Sequence, residues 1–131
     1  MAEIEVGDEV RELRVTPDKY LPHRYAGASG DFNPIHIDDE FAKAVGLPRN
    51  ILHGLYTMGL VAKASAVALA GGDPAALKRL SVQFRGMGVP EQEIVVTGTV
   101  KSVNGNRVVV DTVATQGETK LVKNAEAELE L

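Results

Sequence analysis

The segment 55–70 constrains the fold of this chain more than any other. It reads LYTMGLVAKASAVALA, and Lys63 is its single charged residue. At 16 residues it is shorter than the roughly 20 that a bilayer crossing requires. A helix that is apolar on nearly all sides is instead expected to be buried. Gly71-Gly72-Asp73-Pro74 ends the segment with a strong break. The sequence therefore predicts a core helix that begins at His53-Gly54 and around which the rest of the chain packs.

The chain after this helix has the period of β-strands. Apolar and polar residues alternate in the runs 80–84, 94–100, 108–110 and 125–131. A period of two is typical of strands with one buried face. Asn104-Gly105 and Gln116-Gly117 separate the later runs and predict turns, the first of them a β-hairpin. We expect four strands in an antiparallel meander whose buried face covers the helix.

The chain before the core helix predicts one strand and two helices. Residues 4–15 alternate weakly, and Gly7-Asp8 indicates a bend or bulge. Thr16-Pro17-Asp18 has the composition of a helix start and predicts a helix over 17–28, which must accommodate Pro22. Acidic residues begin a second helix, 38–45, that Gly46 ends.

Residues 25–36, YAGASGDFNPIH, place a carboxylate and an imidazole five positions apart. Gly30 and Pro34 restrict the backbone between Asp31 and His36, and Asn33 can hydrogen-bond its own backbone. A flexible polar loop needs no such restriction, whereas a site that aims an acid and a base at one small molecule does. The alternative is a polar turn, with Asp31 as its cap and His36 as a structural histidine.

Together with His53-Gly54, this segment resembles the signature of the MaoC-like (R)-specific hydratase/dehydratase family, which has the hot-dog fold. The positions that carry the resemblance are Tyr25, Ser29, Gly30, Asp31, Asn33, Pro34, Ile35, His36 and Ala42. The chain is most similar in kind to the small single-hot-dog dehydratases of actinobacteria. The resemblance implies an α+β fold in which a curved antiparallel sheet wraps a long central helix. The length of 131 residues is near the commonest domain size and predicts a single domain over residues 1–131.

The family resemblance implies a reaction and the residues that perform it. The expected reaction is hydration of trans-2-enoyl thioesters, or dehydration of (R)-3-hydroxyacyl thioesters, carried on coenzyme A or acyl carrier protein. Asp31 and His36 would bind and activate one water, with the roles of acid and base left open. The Gly54 backbone N–H, at a helix start, would bind the thioester carbonyl. Asn33 would hold the loop or contact substrate, and Arg85 would contact pantetheine or phosphate.

Each assignment has a structural alternative. Gly54 can simply start a tightly packed helix, and Arg85 can be an exposed strand residue without a role. His53 is interpreted as a packing or hydrogen-bonding residue. Two features depart from the family pattern: residues 85–90, with two glycines, match it loosely, and Pro22 is atypical.

We expect no redox or metal cofactor. The acids Asp38-Asp39-Glu40 fit a helix start without any metal, and the chain has no cysteine. A net charge of −4 with scattered basic residues argues against nucleic-acid binding. The acidic start of the chain lacks the apolar core of a secretory signal, so we expect a cytoplasmic protein that binds no membrane.

The resemblance also implies a dimer whose sheets join edge to edge. The partner would be a second copy or a related hot-dog subunit, and acyl carrier protein is a further candidate partner. Two other functions share the fold: a hot-dog acyl thioesterase, and a non-catalytic acyl-thioester-binding subunit. The intact Asp31/His36 spacing argues against both. Acyl-chain length and physiological direction are left open.

Overall fold

The computed structural model describes residues 3–131 as strands and helices in the expected order. The elements are β1 (Glu9–Val15), α1 (Leu21–Ser29), α2 (Pro34–Ile37), α3 (Asp39–Ala44), α4 (Gly54–Ala70), a 3₁₀ turn (Pro74–Ala76), β2 (Leu77–Phe84), β3 (Ile94–Asn104), β4 (Arg107–Gln116) and β5 (Thr119–Glu130). Within this described part, no helix has both the length and the apolar character that a membrane span requires.

The strands form one antiparallel sheet in the order β1-β3-β4-β5-β2. The two predicted turns are confirmed, since β3–β4 and β4–β5 are joined through Gly105 and Gly117, both at positive φ. The predicted four-strand meander is wrong for β2, which pairs with β5 at the far edge. No two-residue turn joins β2 to β3. The irregular segment 85–93 lets the chain cross the end of the sheet instead.

Helix α4 packs against all five strands of this sheet, which confirms the predicted hot-dog fold. Its buried side chains, including Val61 and Ala64, meet the inner face of the sheet at Ile94, Val96 and Val122. Complete burial of a valine or leucine side chain contributes about 1.5–3 kcal/mol, so this helix–sheet contact dominates the core. Gly71, at φ 60°, ends the helix in the left-handed conformation.

The first helix begins four residues later than predicted, at Leu21 rather than Pro17. The carboxylate of Asp18 accepts the Tyr20 N–H at 2.7 Å and pairs with Arg24 at 2.6 Å, which holds residues 18–20 outside the helix. Pro22 then falls in the first turn. Backbone N–H groups make no intrahelical hydrogen bond there, so proline, which lacks an N–H, causes no loss. The second predicted helix, 38–45, is confirmed to within one residue as α3, with Asp38 as its N-cap.

Candidate active site

A four-residue helix that the sequence did not predict, α2, presents the motif residues. Asn33 caps it: its Oδ1 accepts the Ile35 N–H at 3.2 Å, and its own N–H donates to Asp31 Oδ1 at 3.2 Å. Pro34 occupies the first turn, and Ser29 Oγ accepts the Asp31 N–H at 3.2 Å. These short-range bonds fix the course of the chain between Asp31 and His36.

His36 points inward and is held in one tautomer. Its Nδ1 lies 2.9 Å from the carbonyl oxygen of Ile51, which can only accept, so Nδ1 carries the hydrogen. Nε2 then carries the lone pair, and it lies 3.9 Å from Asp31 Oδ2. His36 is 8% exposed, whereas the Asp31 side chain is 54% exposed. The buried imidazole and the accessible carboxylate thus face each other across a short gap.

Residues 50–53 run alongside α2 and are hydrogen-bonded to it. The Ile51 N–H donates to the Ile35 carbonyl at 3.0 Å, and Asn50 Nδ2 donates to the His36 carbonyl at 2.9 Å. Asn50 is itself fixed, because its N–H donates to Asp39 Oδ1 at 3.0 Å. The backbone of His36 is therefore hydrogen-bonded on the side that faces the core.

His53 touches both members of the pair. Its ring stacks on His36 with centroids 3.9 Å apart and planes inclined by 23°. Its Nε2 donates to the main-chain carbonyl of Asp31 at 3.0 Å. Its Nδ1 is buried and, within residues 3–131, has no hydrogen-bond partner. An unpaired buried acceptor costs about 1–3 kcal/mol.

Tyr25 covers the other side of His53. Its ring lies 4.7 Å from the His53 ring and meets Tyr56 edge to face at 5.9 Å. Burial raises the pKa of the Tyr56 phenol above its usual range, which keeps the hydroxyl protonated at neutral pH. Tyr25 and Tyr56 thus pack beside the histidine pair without adding a charge.

Gly54 begins α4 beside these histidines. As the first helical residue, its N–H has no acceptor within its own helix and lies at the positive end of the helix dipole. The Phe84 ring packs close to it: a Cβ at position 54 would lie 3.1 Å from the ring. A glycine here therefore leaves room for Phe84 and keeps the main chain accessible.

His36 and Gly54 both line a cavity of about 230 Å³. Arg85, Gly86 and Gly88 line the same cavity. The two glycines reflect close packing. A Cβ at 86 would meet the Lys120 carbonyl oxygen at 2.6 Å, and one at 88 would meet Leu52 at 3.1 Å. Residues 85–88, within the segment that matches the family pattern only loosely, thus form part of the cavity wall.

The side chains of Asp31, His36 and His53 bring ligand-type atoms within 4.8 Å of one another, but they do not suit a metal ion. Zinc binds nitrogen at about 2.0–2.1 Å along the lone pair in the ring plane. The two rings are stacked face to face at 3.9 Å, and His53 Nε2 is already bonded to the main-chain carbonyl oxygen of Asp31. The arrangement suits proton transfer better than ion binding.

The structure brings together all five residues singled out in the sequence. Asp31 and His36 form a pair that Asn33 supports through the loop. Gly54 and Arg85 reach the same cavity as His36, although Arg85 is exposed. Sequence reasoning missed the contact of His53 with both Asp31 and His36. The position of His53 next to Gly54, at the predicted helix start, was the sequence feature that could have indicated this contact.

The model of the MaoC like domain family matches residues 4–122. Enoyl-CoA hydratase 2, peroxisomal, of Arabidopsis thaliana is 41% identical over 79% of this chain and 31% of its own length. Enoyl-CoA hydratase ChsH3 of Mycobacterium tuberculosis is 37% identical over 78% of this chain and 34% of its own. The chain thus spans about a third of the length of these curated relatives.

Solved structures give the same result for the fold. A structure described as a MaoC-like dehydratase superimposes with a TM-score of 0.92 at 31% identity. The match covers 98% of this chain and 41% of that chain. The whole of the fold described above, including the helices that carry the motif, is therefore shared with a solved structure.

Proposed function

The chain belongs to the MaoC-like domain family, and we propose that it hydrates trans-2-enoyl thioesters and, in reverse, dehydrates (R)-3-hydroxyacyl thioesters. The observation that carries the proposal is the Asp31–His36 pair: His36 lines a cavity together with Gly54 at the start of α4, and Asp31 Oδ2 lies 3.9 Å from His36 Nε2. The names of the two enoyl-CoA hydratase relatives support the same chemistry. The (R) configuration follows from the family resemblance of the motif.

The spacing of the pair fits one bridging water. The 3.9 Å between His36 Nε2 and Asp31 Oδ2 is too long for a direct hydrogen bond. A water about 2.8 Å from each atom would bridge them at an angle of about 90°. Both atoms are acceptors in the neutral-imidazole, ionised-carboxylate state, so the water donates one hydrogen to each and directs its oxygen lone pairs at the substrate.

Hydration then proceeds through an enolate. The water oxygen bonds to C3, the C2=C3 electron pair moves into the thioester carbonyl, and one water proton passes to the Asp31/His36 pair. A proton from the pair is then delivered to C2, which restores the carbonyl. The Gly54 N–H donates to the thioester oxygen while it carries negative charge, supported by the helix dipole. Since the addition of water changes no net oxidation state, the reaction needs no redox cofactor, and the Asp31/His36 pair activates the water without a metal ion.

The substrate would be carried on coenzyme A or acyl carrier protein. Arg85 is exposed at the cavity wall, where its charge is available to a pantetheine-linked phosphate. Asn33 contributes by holding the loop, because its side-chain oxygen accepts the Ile35 N–H. The role of Arg85 depends on the proposed reaction.

We also propose that residues 1–131 form one hot-dog domain that dimerises in the cytoplasm. Strands β1 and β2 lie at the sheet edges, and β2 ends at Phe84 beside Gly54. An unpaired edge is a template for another strand. The partner is a second copy or a related hot-dog subunit, and light scattering of the purified chain distinguishes a homodimer from a protein that needs another subunit.

The first experiment follows the loss of enoyl-thioester absorbance with crotonyl-CoA and with trans-2-decenoyl-CoA. We expect conversion to the (R)-3-hydroxyacyl product by the wild type. Asp31→Asn and His36→Ala should each lower the rate by about 10²–10⁴-fold, because each removes one of the two groups that handle the proton.

The chain offers a matched control for Asp31→Asn. Asp73→Asn alters a carboxylate that caps the 3₁₀ turn, and it should retain the wild-type rate. His23 does not serve as the control for His36→Ala, because its Nε2 lies 3.1 Å from the Ile37 carbonyl oxygen of α2. Wild-type rates in His36→Ala would refute the mechanism. Release of free thiol instead of hydration would establish a thioesterase.

A further inference from the structure

His53 has no step to perform in the proposed reaction, yet it contacts both groups that do. We propose that His53 is a positioning residue: its imidazole orients the His36 ring and also fixes the position of Asp31. This inference rests on the proposed function and deepens it. It is carried by a hydrogen bond, a ring stack and an unpaired nitrogen.

The hydrogen bond ties the motif loop to the start of α4. His53 Nε2 donates to the Asp31 carbonyl at 3.0 Å, while residues 31–34 are exposed to solvent. The local bonds of Asp31 and Asn33 fix the shape of the loop but do not attach it to the core. Because His53 is 2% exposed and precedes Gly54, its bond places Asp31 relative to the same helix start that faces the thioester.

The stack sets the plane of the His36 ring. The bond from His36 Nδ1 to Ile51 fixes one atom of the ring and leaves rotation about that contact open. A second ring at 3.9 Å and 23° removes that freedom and so aims Nε2 at Asp31. When His36 accepts a proton, the new positive charge lies against the face of the His53 ring.

The unpaired nitrogen argues against a role in packing alone. His53 Nδ1 is buried without a partner among residues 3–131, so an apolar ring would fill this position with no orphan atom. The groups that face His53 are Tyr25, His36 and both the main chain and the carboxylate of Asp31. An imidazole supplies both a flat face and a donor, and these are the two features that the pair uses.

Two variants separate the two contacts. His53→Phe keeps a flat ring against His36 and removes the donor, whereas His53→Gln keeps a donor near the position of Nε2 and removes the ring. A misplacement of about 1 Å in a reacting group costs on the order of 10²-fold in rate. We expect each variant to lower kcat by about 10- to 100-fold with KM within about threefold, and to alter the pH profile of kcat.

Thr112→Val is the control for loss of a buried hydrogen bond away from the cavity. It should lower the melting temperature slightly and leave kcat and its pH profile unchanged. A His53→Phe enzyme with wild-type kcat and pH profile would show that His53 only packs. A wild-type enzyme without hydratase activity would instead overturn the proposed function, and the positioning role is then decided by spectroscopy.

That measurement is ¹⁵N NMR of the imidazoles in the wild type and in both variants. The geometry requires hydrogen on Nδ1 of His36 and on Nε2 of His53. We expect these tautomers in the wild type and a changed His36 signal in both variants. Hydrogen on Nδ1 of His53, or a His36 signal that neither variant alters, would contradict the positioning role whatever the activity.

Discussion

Gly86 lies where the end of β2 meets β5, and replacing it with alanine tests the packing of the cavity wall. A Cβ at this position would lie 2.5 Å from Thr119 Cγ2 and 2.6 Å from the Lys120 carbonyl oxygen. Ordinary contacts begin near 3.4 Å. The obstacle is backbone, which cannot rotate away as the end of a flexible side chain does.

The cost of Gly86→Ala follows from these distances. Relief requires the two segments to separate by about 0.8 Å, which breaks the 2.9 Å hydrogen bond from the Gly86 N–H to Lys120 O. Loss of that bond costs about 1 kcal/mol, and overpacking costs about 1–3 kcal/mol more. We expect a loss of about 2–4 kcal/mol in the free energy of unfolding, which corresponds to a fall in Tm of roughly 10 °C.

Urea denaturation followed by circular dichroism measures this loss. Gly59→Ala is the matched control, because a Cβ at position 59 of α4 meets nothing within 4 Å. That control should gain about 0.5–1 kcal/mol from the better helix propensity of alanine. If Gly86→Ala unfolds within about 0.5 kcal/mol of the wild type, the argument from close approach is wrong.

Three further changes probe the supports of the site and of the fold. Asn50→Leu leaves the buried His36 carbonyl unpaired, so urea denaturation should show a loss of about 1–3 kcal/mol, with a slower hydration rate. Gln116→Leu removes the side chain that bonds Val89 N–H, Val89 O and Gln92 O, and should cost about 3 kcal/mol in the same assay. Arg24 holds the pKa of Asp18 below its usual range, so its stabilising effect is complete above the unfolded pKa of about 3.9 and is lost as the pH falls through the lower folded value. The stability difference between wild type and Asp18→Asn should therefore be constant from about pH 5 to 7 and shrink below about pH 4; a difference that grows on acidification would contradict the assignment.

Features set by local chemistry could be predicted from the sequence. Asn104-Gly105 and Gln116-Gly117 mark turns because glycine accepts positive φ. The core helix could be predicted from the length of its apolar segment and from Gly71, which ends it. The pairing of β2 with β5 could not be predicted, because it depends on how the sheet closes around α4. The start of α1 was also misplaced: Pro17 and Pro22 both suit a first helical turn, and the Asp18–Arg24 pair favours the later start.

The candidate site divides in the same way. The Asp31–His36 pair could be predicted because both side chains belong to one short segment, in which Gly30 and Pro34 restrict the backbone. The Ile51 carbonyl that sets the His36 tautomer is a main-chain group and leaves no trace in residue identity. The stack of His53 on His36 depends on residues 50–53 lying alongside α2, which is a tertiary contact.

The strand order determines how quickly the parts of the molecule are expected to form. Short turns connect the strands of the meander β3–β4–β5. The edge strands instead pair with residues far away in the sequence: Leu13 of β1 pairs with Val96 of β3, and Leu80 of β2 pairs with Ala127 of β5. Local contacts form before distant ones, because closing a long loop restricts more of the chain. The cavity takes His36 and Gly54 from the helical segment and Arg85 from the end of the edge strand. During refolding, catalytic competence is therefore expected to return last, after most of the β-sheet signal has recovered.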